Sequence, residues 1–249
     1  MTQTHNPMSL SKFCITSLFF LCSFTFLTQP PEALANKKEG LPGRRVGAGT
    51  RGECTTLAST EKTATKQKKM LMPLIPEDIL SKTVSSNPTL YWYVPETNVK
   101  RAEFRVVDQR DKPLYTAIVP LSGKAGIVSY KIPANVASRI LRPNQEYEWM
   151  FSLLCDRNDP SGNPFVRGIL QRVPSQTNLT KQLQNAQPSD RSRIYAQAGI
   201  WQEAITEVVQ QRCARPNDNA LYSQWVQLLR SVSLEQYSNE PITGACSAS

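Results

Sequence analysis

The sequence predicts an α+β protein, an antiparallel β-sandwich followed by a short α-helical segment, on three observations. Between Thr89 and Val173, six short apolar runs alternate with a two-residue period, spaced roughly ten residues apart and joined by Pro, Asn, Gly and Asp. From Ser189 onward the apolar spacing changes to the three-to-four-residue period of an amphipathic helix. The chain has 249 residues, 40% of them hydrophobic and 20% charged, which is enough core for one or two domains and too apolar for wholesale disorder.

In chain order, residues 1–35 read as a signal peptide. Lys12 precedes an uncharged run, Phe13 to Leu27, which would rise about 22 Å as a helix, short of the roughly 30 Å hydrocarbon core. The small-x-small string Ala33-Leu34-Ala35 then predicts cleavage after Ala35, with an uncleaved anchor as the alternative. The expected destination is the periplasm, the cell envelope or the exterior. The single histidine, His5, falls in this leader. A mature chain without imidazole excludes Ser-His-Asp and Cys-His hydrolases and any His-ligated metal site.

Residues 36–88 read as a basic, loosely structured arm with little apolar periodicity, marked by Lys37-Lys38, Arg44-Arg45 and the stretch to Lys69. Gly47, Gly49 and Gly52 fit G-x-G-x-x-G in form, but no strand precedes them and no helix follows. Close turns are the better reading, and no cofactor is expected. Residues 89–175 form the expected sandwich. Its strands begin with Leu90-Tyr91-Trp92-Tyr93-Val94, continue through Ala102, Phe104 and Val106, then Tyr115, Ala117 and Val119, and then Val128, Tyr130 and Ile132. The clearest alternation is Tyr147, Trp149, Phe151, Leu153 and Cys155, and Phe165 to Val173 supplies the last strand. Leu141 to Tyr147 is similar to the tyrosine corner of fibronectin-type sandwiches, which makes the expected fold Ig- or fibronectin-like.

Residues 189–240 are expected to be helical and packed on the sandwich. Ser189-Asp190 offers a cap, and Ile194, Ala198, Ile205, Val208 and Val209 an apolar face. Gly199, Trp201, Ala204, Ile205 and Pro216 resemble the second half of a tetratricopeptide repeat, while Gln211 and Pro188 depart from it. A further helix is expected over about Asn219 to Val232, with Leu221, Trp225, Leu228 and Leu229 inward.

Several of these strings form an ordered set: Gly43-Arg44-Arg45 to Cys54, Pro88 to Pro95, Gly126-Ile127-Val128-Ser129 and Trp149 to Asp156, then Phe165 to Gly168, Gln171-Arg172-Val173 and Tyr195 to Trp201. The set resembles the cyanobacterial exported family called domain of unknown function 928, over about residues 40 to 246. The resemblance implies an envelope or secreted location and a sandwich followed by helices, and brings with it no activity. Cys213 stands outside that family's pattern.

Four cysteines follow the leader: Cys54, Cys155, Cys213 and Cys246. An even number in an oxidising compartment predicts two disulfides, with three connectivities open. The expected pairing is Cys54 with Cys155, tying the arm to the most apolar strand, and Cys213 with Cys246, two positions close in sequence. Asp156, Asn158 and Asp159 are weak calcium candidates in a loop whose spacing fails the EF-hand pattern and suits an ordinary turn. Glu146 and Glu148 share a strand face, and carboxylate chemistry would require two acids in one cleft.

With no catalytic motif, the expected role is a non-enzymatic interaction or adaptor module of the cell envelope. The alternatives are a carboxylate-dependent envelope hydrolase or transferase, and a purely structural secreted component. The net charge of +9 suits anionic envelope polymers as well as an envelope or secreted protein partner. Export and the lack of a base-reading motif argue against nucleic acid. Binding is expected where sandwich and helices meet, with Tyr91, Trp92 and Tyr93 as candidate exposed anchors. The alternative for this cluster is burial between strand and helices.

N-terminal sequencing of the native protein is expected to begin at Asn36. A product beginning at Met1 would defeat the leader assignment.

Overall fold

The structure is a computed structural model that describes residues 69–155, 162–244 and 246. The expected leader with its expected cleavage after Ala35, the glycine-rich string, Cys54, Asp156, Asn158 and Asp159 lie outside the described residues. The elements run β1 (Met72–Pro73), β2 (Leu80–Thr83), β3 (Thr89–Val94), β4 (Arg101–Val107), β5 (Pro113–Pro120), β6 (Gly126–Lys131), α1 (Ala134–Ile140), β7 (Glu146–Leu153) and β8 (Phe165–Arg172). They continue with α2 (Thr177–Gln184), α3 (Pro188–Gln197), α4 (Trp201–Ala214), α5 (Asn219–Arg230) and a 3-10 turn, Glu235–Tyr237. The class is mixed α+β: among the described residues there are two sheets and five α-helices.

One sheet has the order β1-β3-β6, all antiparallel, and the other β2-β8-β7-β4-β5, with only the β2–β8 pair parallel. The two-residue alternation decides what each strand buries. In β4, Ala102, Phe104 and Val106 point inward, with Glu103 and Arg105 between them only half-buried. In β7 the inward set is Tyr147, Trp149, Phe151 and Leu153. The sheets meet where Trp92 of β3 stacks on Phe151 of β7, ring centroids 4.2 Å apart, with Phe104 and Trp149 at 5.6 and 5.7 Å.

β3 departs from alternation, since every residue from Leu90 to Val94 is buried. Its second face is covered by helix α4 and by the 3-10 turn. The Tyr91 hydroxyl donates to Thr206 Oγ1 at 3.2 Å, and the Tyr93 ring lies 4.9 Å from that of Tyr237. The tyrosine-corner segment has the expected local geometry. The Tyr147 hydroxyl accepts from the Arg142 backbone N–H at 3.0 Å and donates to Gln145 Oε1 at 3.0 Å. Short helix α1, which the sequence does not signal, fills the β6–β7 connection and buries Ala137.

Residues 69–88 correct the expectation of a loose arm. They supply β1 to one sheet and β2 to the other, and Leu71, Leu74, Ile75 and Ile79 are core residues. Runs of two and four residues broken by Pro73 and Pro76 are too short to show a period, so their partners define them as strands. The helical part likewise begins earlier than 189, with α2 from Thr177 and α3 from Pro188, where proline occupies the first turn.

α3 and α4 form an antiparallel hairpin at Gly199, whose φ of +71° suits glycine there. Buried Ala204 lets the helices approach, and the Ser192 hydroxyl donates to the Ala204 carbonyl at 2.7 Å. Gln211 and Pro188, the two departures from the repeat pattern, meet: Gln211 Nε2 donates to the Pro188 carbonyl at 2.7 Å. Asp218 caps α5 by accepting from the N–H groups of Ala220 and Leu221. Leu221, Trp225, Leu228 and Leu229 are its buried residues.

Gly168 leaves space that the core uses. A Cβ there would lie 2.5 Å from the Trp149 indole and 2.7 Å from Ile75 Cδ1. Gly168→Ala is therefore expected to lower stability by about 1–3 kcal/mol, measured by urea denaturation, and an unchanged midpoint would contradict this packing.

Candidate functional site

A cleft of about 720 Å³ opens where β3 and β6 meet the C-terminal end of α4, lined by Thr89, Tyr91, Ser129, Tyr130, Lys131, Gln210, Cys213, Ala214, Gly244 and Cys246. Its volume is in the usual range for ligand clefts, roughly 300–1,000 Å³. The register places it. Tyr91 lies opposite Ser129 and Thr89 opposite Lys131, so these four share the sheet face that looks toward the helices. Helical spacing brings Gln210, Cys213 and Ala214 to one side of α4, one turn beyond the Thr206 that holds Tyr91.

Cys213 and Cys246 form a disulfide with Cα atoms 5.2 Å apart, as the sequence expects. It brings the chain after Gly244 to the rim of the cleft. Cys155 is also disulfide-bonded, and its expected partner, Cys54, is not among the described residues. The Cys155 backbone N–H donates to Asn163 Oδ1 at 3.0 Å.

Among the described residues the lining holds one cation, Lys131, and no carboxylate. Tyr91 is pushed up to about 12, chiefly by burial and partly offset by hydrogen bonds with Thr206 and Thr89. At neutral pH it is thus a neutral hydroxyl whose proton is already given to Thr206. The cleft therefore offers hydroxyls, an amide and an ammonium group, which suits binding of a polar or anionic segment. Its described lining contains no acid–base pair.

The three aromatic candidates require a correction. Tyr91, Trp92 and Tyr93 are 3%, 0% and 4% exposed, so they are core rather than exposed anchors, and the alternative of burial holds. Of the three, Tyr91 lines the cleft. Ser129, Lys131 and Gln210 were not singled out from the sequence. Ser129 and Lys131 share only their alternate position on the strand Gly126–Lys131, a phase that also holds buried Ile127, and Gln210 lies on α4, so the site exists only once α4 lies across the strand.

The carboxyls are placed elsewhere. Glu148 pairs with Arg167 at 3.6 Å. Glu146 lies with Asp108 in a shallow depression of about 290 Å³ beside the Tyr147 corner. The backbone N–H groups of Arg110 and Lys112 hold Asp108 below the ordinary carboxylate range, the opposite of what a general acid needs. Burial raises Glu203 and Glu207, but neither lines either depression. Glu203 is a clamp, accepting from Thr83 Oγ1 at 2.5 Å and from the N–H groups of Val84 and Ser85 at 3.2 Å each, which ties α4 to the end of β2. Among the described residues no three His, Cys, Asp or Glu side chains gather as a metal-binding group, and no helix is long and apolar enough to cross a membrane.

Burial outweighs the hydrogen bonds at Glu203, so its folded pKa lies above the ordinary 4.5. The folded chain then holds this proton more tightly than the unfolded chain. The associated stability is complete below pH 4.5 and declines as pH rises through the folded value. Glu203→Ala should remove that pH dependence and, by stranding the donors of Thr83, Val84 and Ser85, cost about 1–3 kcal/mol. Urea melts of both proteins across the acid range test this, and parallel pH profiles would contradict it.

No curated protein matches this chain. The family model described as Domain of Unknown Function (DUF928) matches residues 46–242, well over half of the sequence and all of the strand and helix elements above. The match takes in β3, β6 and α4, the elements that build the cleft, and the chain belongs to the DUF928 family.

Proposed function

We propose that the protein is an exported, non-enzymatic interaction module of the cell envelope, and that the cleft between β6 and α4 receives a polar segment of an envelope or secreted partner. The cleft itself carries the reading. It is of ligand size, lies where the sheet meets the helical segment, and among the described residues is lined by donors and one cation with no acid–base pair. Signal-peptide grammar supports export, and the disulfide-bonded Cys155, Cys213 and Cys246 suit an oxidising compartment.

We further read the two sheets as an Ig-like sandwich. Support comes from the three- and five-stranded orders, the chain passing repeatedly between sheets, and the Tyr147 hydroxyl returning to the Arg142 backbone. The α3–α4 hairpin is read as a tetratricopeptide-like pair on the strength of its Gly199 turn and the close approach at Ala204.

Ala214 is exposed at the end of α4 and lines the cleft, so Ala214→Trp fills the cleft without entering the core. In pull-downs from envelope extract, the variant is expected to retain its melting temperature and capture about tenfold less partner than the wild type. Equal capture would defeat the cleft as the site. Capture that ignores Ala214→Trp and vanishes in salt would instead indicate unspecific attraction of anionic polymer by the net charge.

A further inference from the structure

The edge of β6 has two halves. In the β3–β6 ladder the residues whose backbone groups point to β3 are the even-numbered ones, as the bond from Ile132 N–H to the Pro88 carbonyl at 3.0 Å shows. The backbone groups of Ile127, Ser129 and Lys131 therefore point away from β3, toward the free edge. Ile127 is already paired there. Its N–H donates to the Pro241 carbonyl at 2.7 Å, its carbonyl accepts from Thr243 N–H at 2.9 Å, and Ile242 pairs with it as a parallel bridge. Gly244 stays against the edge, its N–H 3.3 Å from the same Ile127 carbonyl and placed so that a Cβ there would lie 3.8 Å from Ser129 N, and the chain then turns to Cys246, which is bonded to Cys213 on α4. Among the described residues nothing pairs with the outward backbone groups of Ser129 and Lys131, and both line the cleft.

Resting on the reading of the cleft as an interaction site, we infer that an extended acidic peptide segment of a partner adds as a strand to β6 at Ser129 and Lys131. Three observations select this occupant. The tail already shows that this edge accepts an extended strand, and an added segment would continue the same line of pairing past the point where the tail departs. Edge strands left open are the usual templates for strand addition. Among the described residues the lining contains Lys131 and no acid, and Lys131 has no ion-pair partner, so a carboxylate beside the added strand meets this cation. The edge at the far side of the other sheet is different, since β5 begins and ends in proline, a common guard against such pairing.

The test is a display selection of random decapeptides against the full chain, followed by binding measurements on the selected peptides as synthetic probes. The expected peptides carry Asp or Glu and lose about tenfold in affinity when alternate backbone amides are N-methylated. They should also weaken at least about threefold against Lys131→Glu and slow hydrogen exchange at the Ser129 and Lys131 amides. Peptides that are blocked by Ala214→Trp yet indifferent to N-methylation and to Lys131→Glu would overturn strand addition while leaving the cleft as the site. Peptides indifferent to Ala214→Trp as well, or no selected peptide at all, would remove both readings. Binding seen only in a chain ended after Cys246 would make the protein's own last residues the occupant and overturn the partner.

Discussion

Trp92 lies nearly parallel to Phe151, ring centroids 4.2 Å apart, with Phe104 and Trp149 closing round it. A buried aromatic group of this size contributes on the order of 3–5 kcal/mol. Its larger importance is positional, because it fixes β3 face-on against the second sheet and so determines what the other face of β3 must do. Tyr91 and Tyr93 then point away from the second sheet and have to be covered. Thr206 on α4 covers one and Tyr237 in the 3-10 turn the other. One strand thus serves as core for the sheets and as platform for the helices. The cleft exists because α4 is seated on that platform at Tyr91 while its last turn overhangs the neighbouring strand.

The sequence reveals elements wherever a strand or helix has one buried face, since alternation or helical period then appears in composition. This holds for β4 and β7, and for α5 with its inward Leu221, Trp225, Leu228 and Leu229. The signal fails where an element is too short or is buried twice. β1 and β2 leave no periodic trace, and their core residues sit among prolines and charges. In β3, apolar residues at every position say that the strand is buried without saying by what, which left two readings of Tyr91, Trp92 and Tyr93 open. Burial between sheet and helices is the one realised.

The candidate site was legible only in its location. A junction of sandwich and helices is a sound place to look for a groove, yet the residues that line it are ordinary: a serine and a lysine at alternate positions of β6, a glutamine and an alanine near the end of a helix. Their significance comes from ladder parity and from where the tail leaves the edge. Neither property resides in side-chain identity, so no motif could have announced them. The disulfide is the exception, because the two cysteines could be paired by nearness in sequence before the geometry was known. Glu203 is the converse case: an acid in the first turn of a helix looks like dipole complementation, whereas its three donors come from the end of β2 and the residues after it.

The bond between Cys213 and Cys246, 33 residues apart, makes a covalent ring of α5, the 3-10 turn and the tail. When this part of the chain opens locally, its ends stay within a few ångströms of each other, so the tail returns to Ile127 from a high effective concentration rather than by a free search. A single nick by a protease within the ring would likewise leave both fragments attached to α4. This tether would let the tail keep guarding its half of the β6 edge after the backbone has been cut.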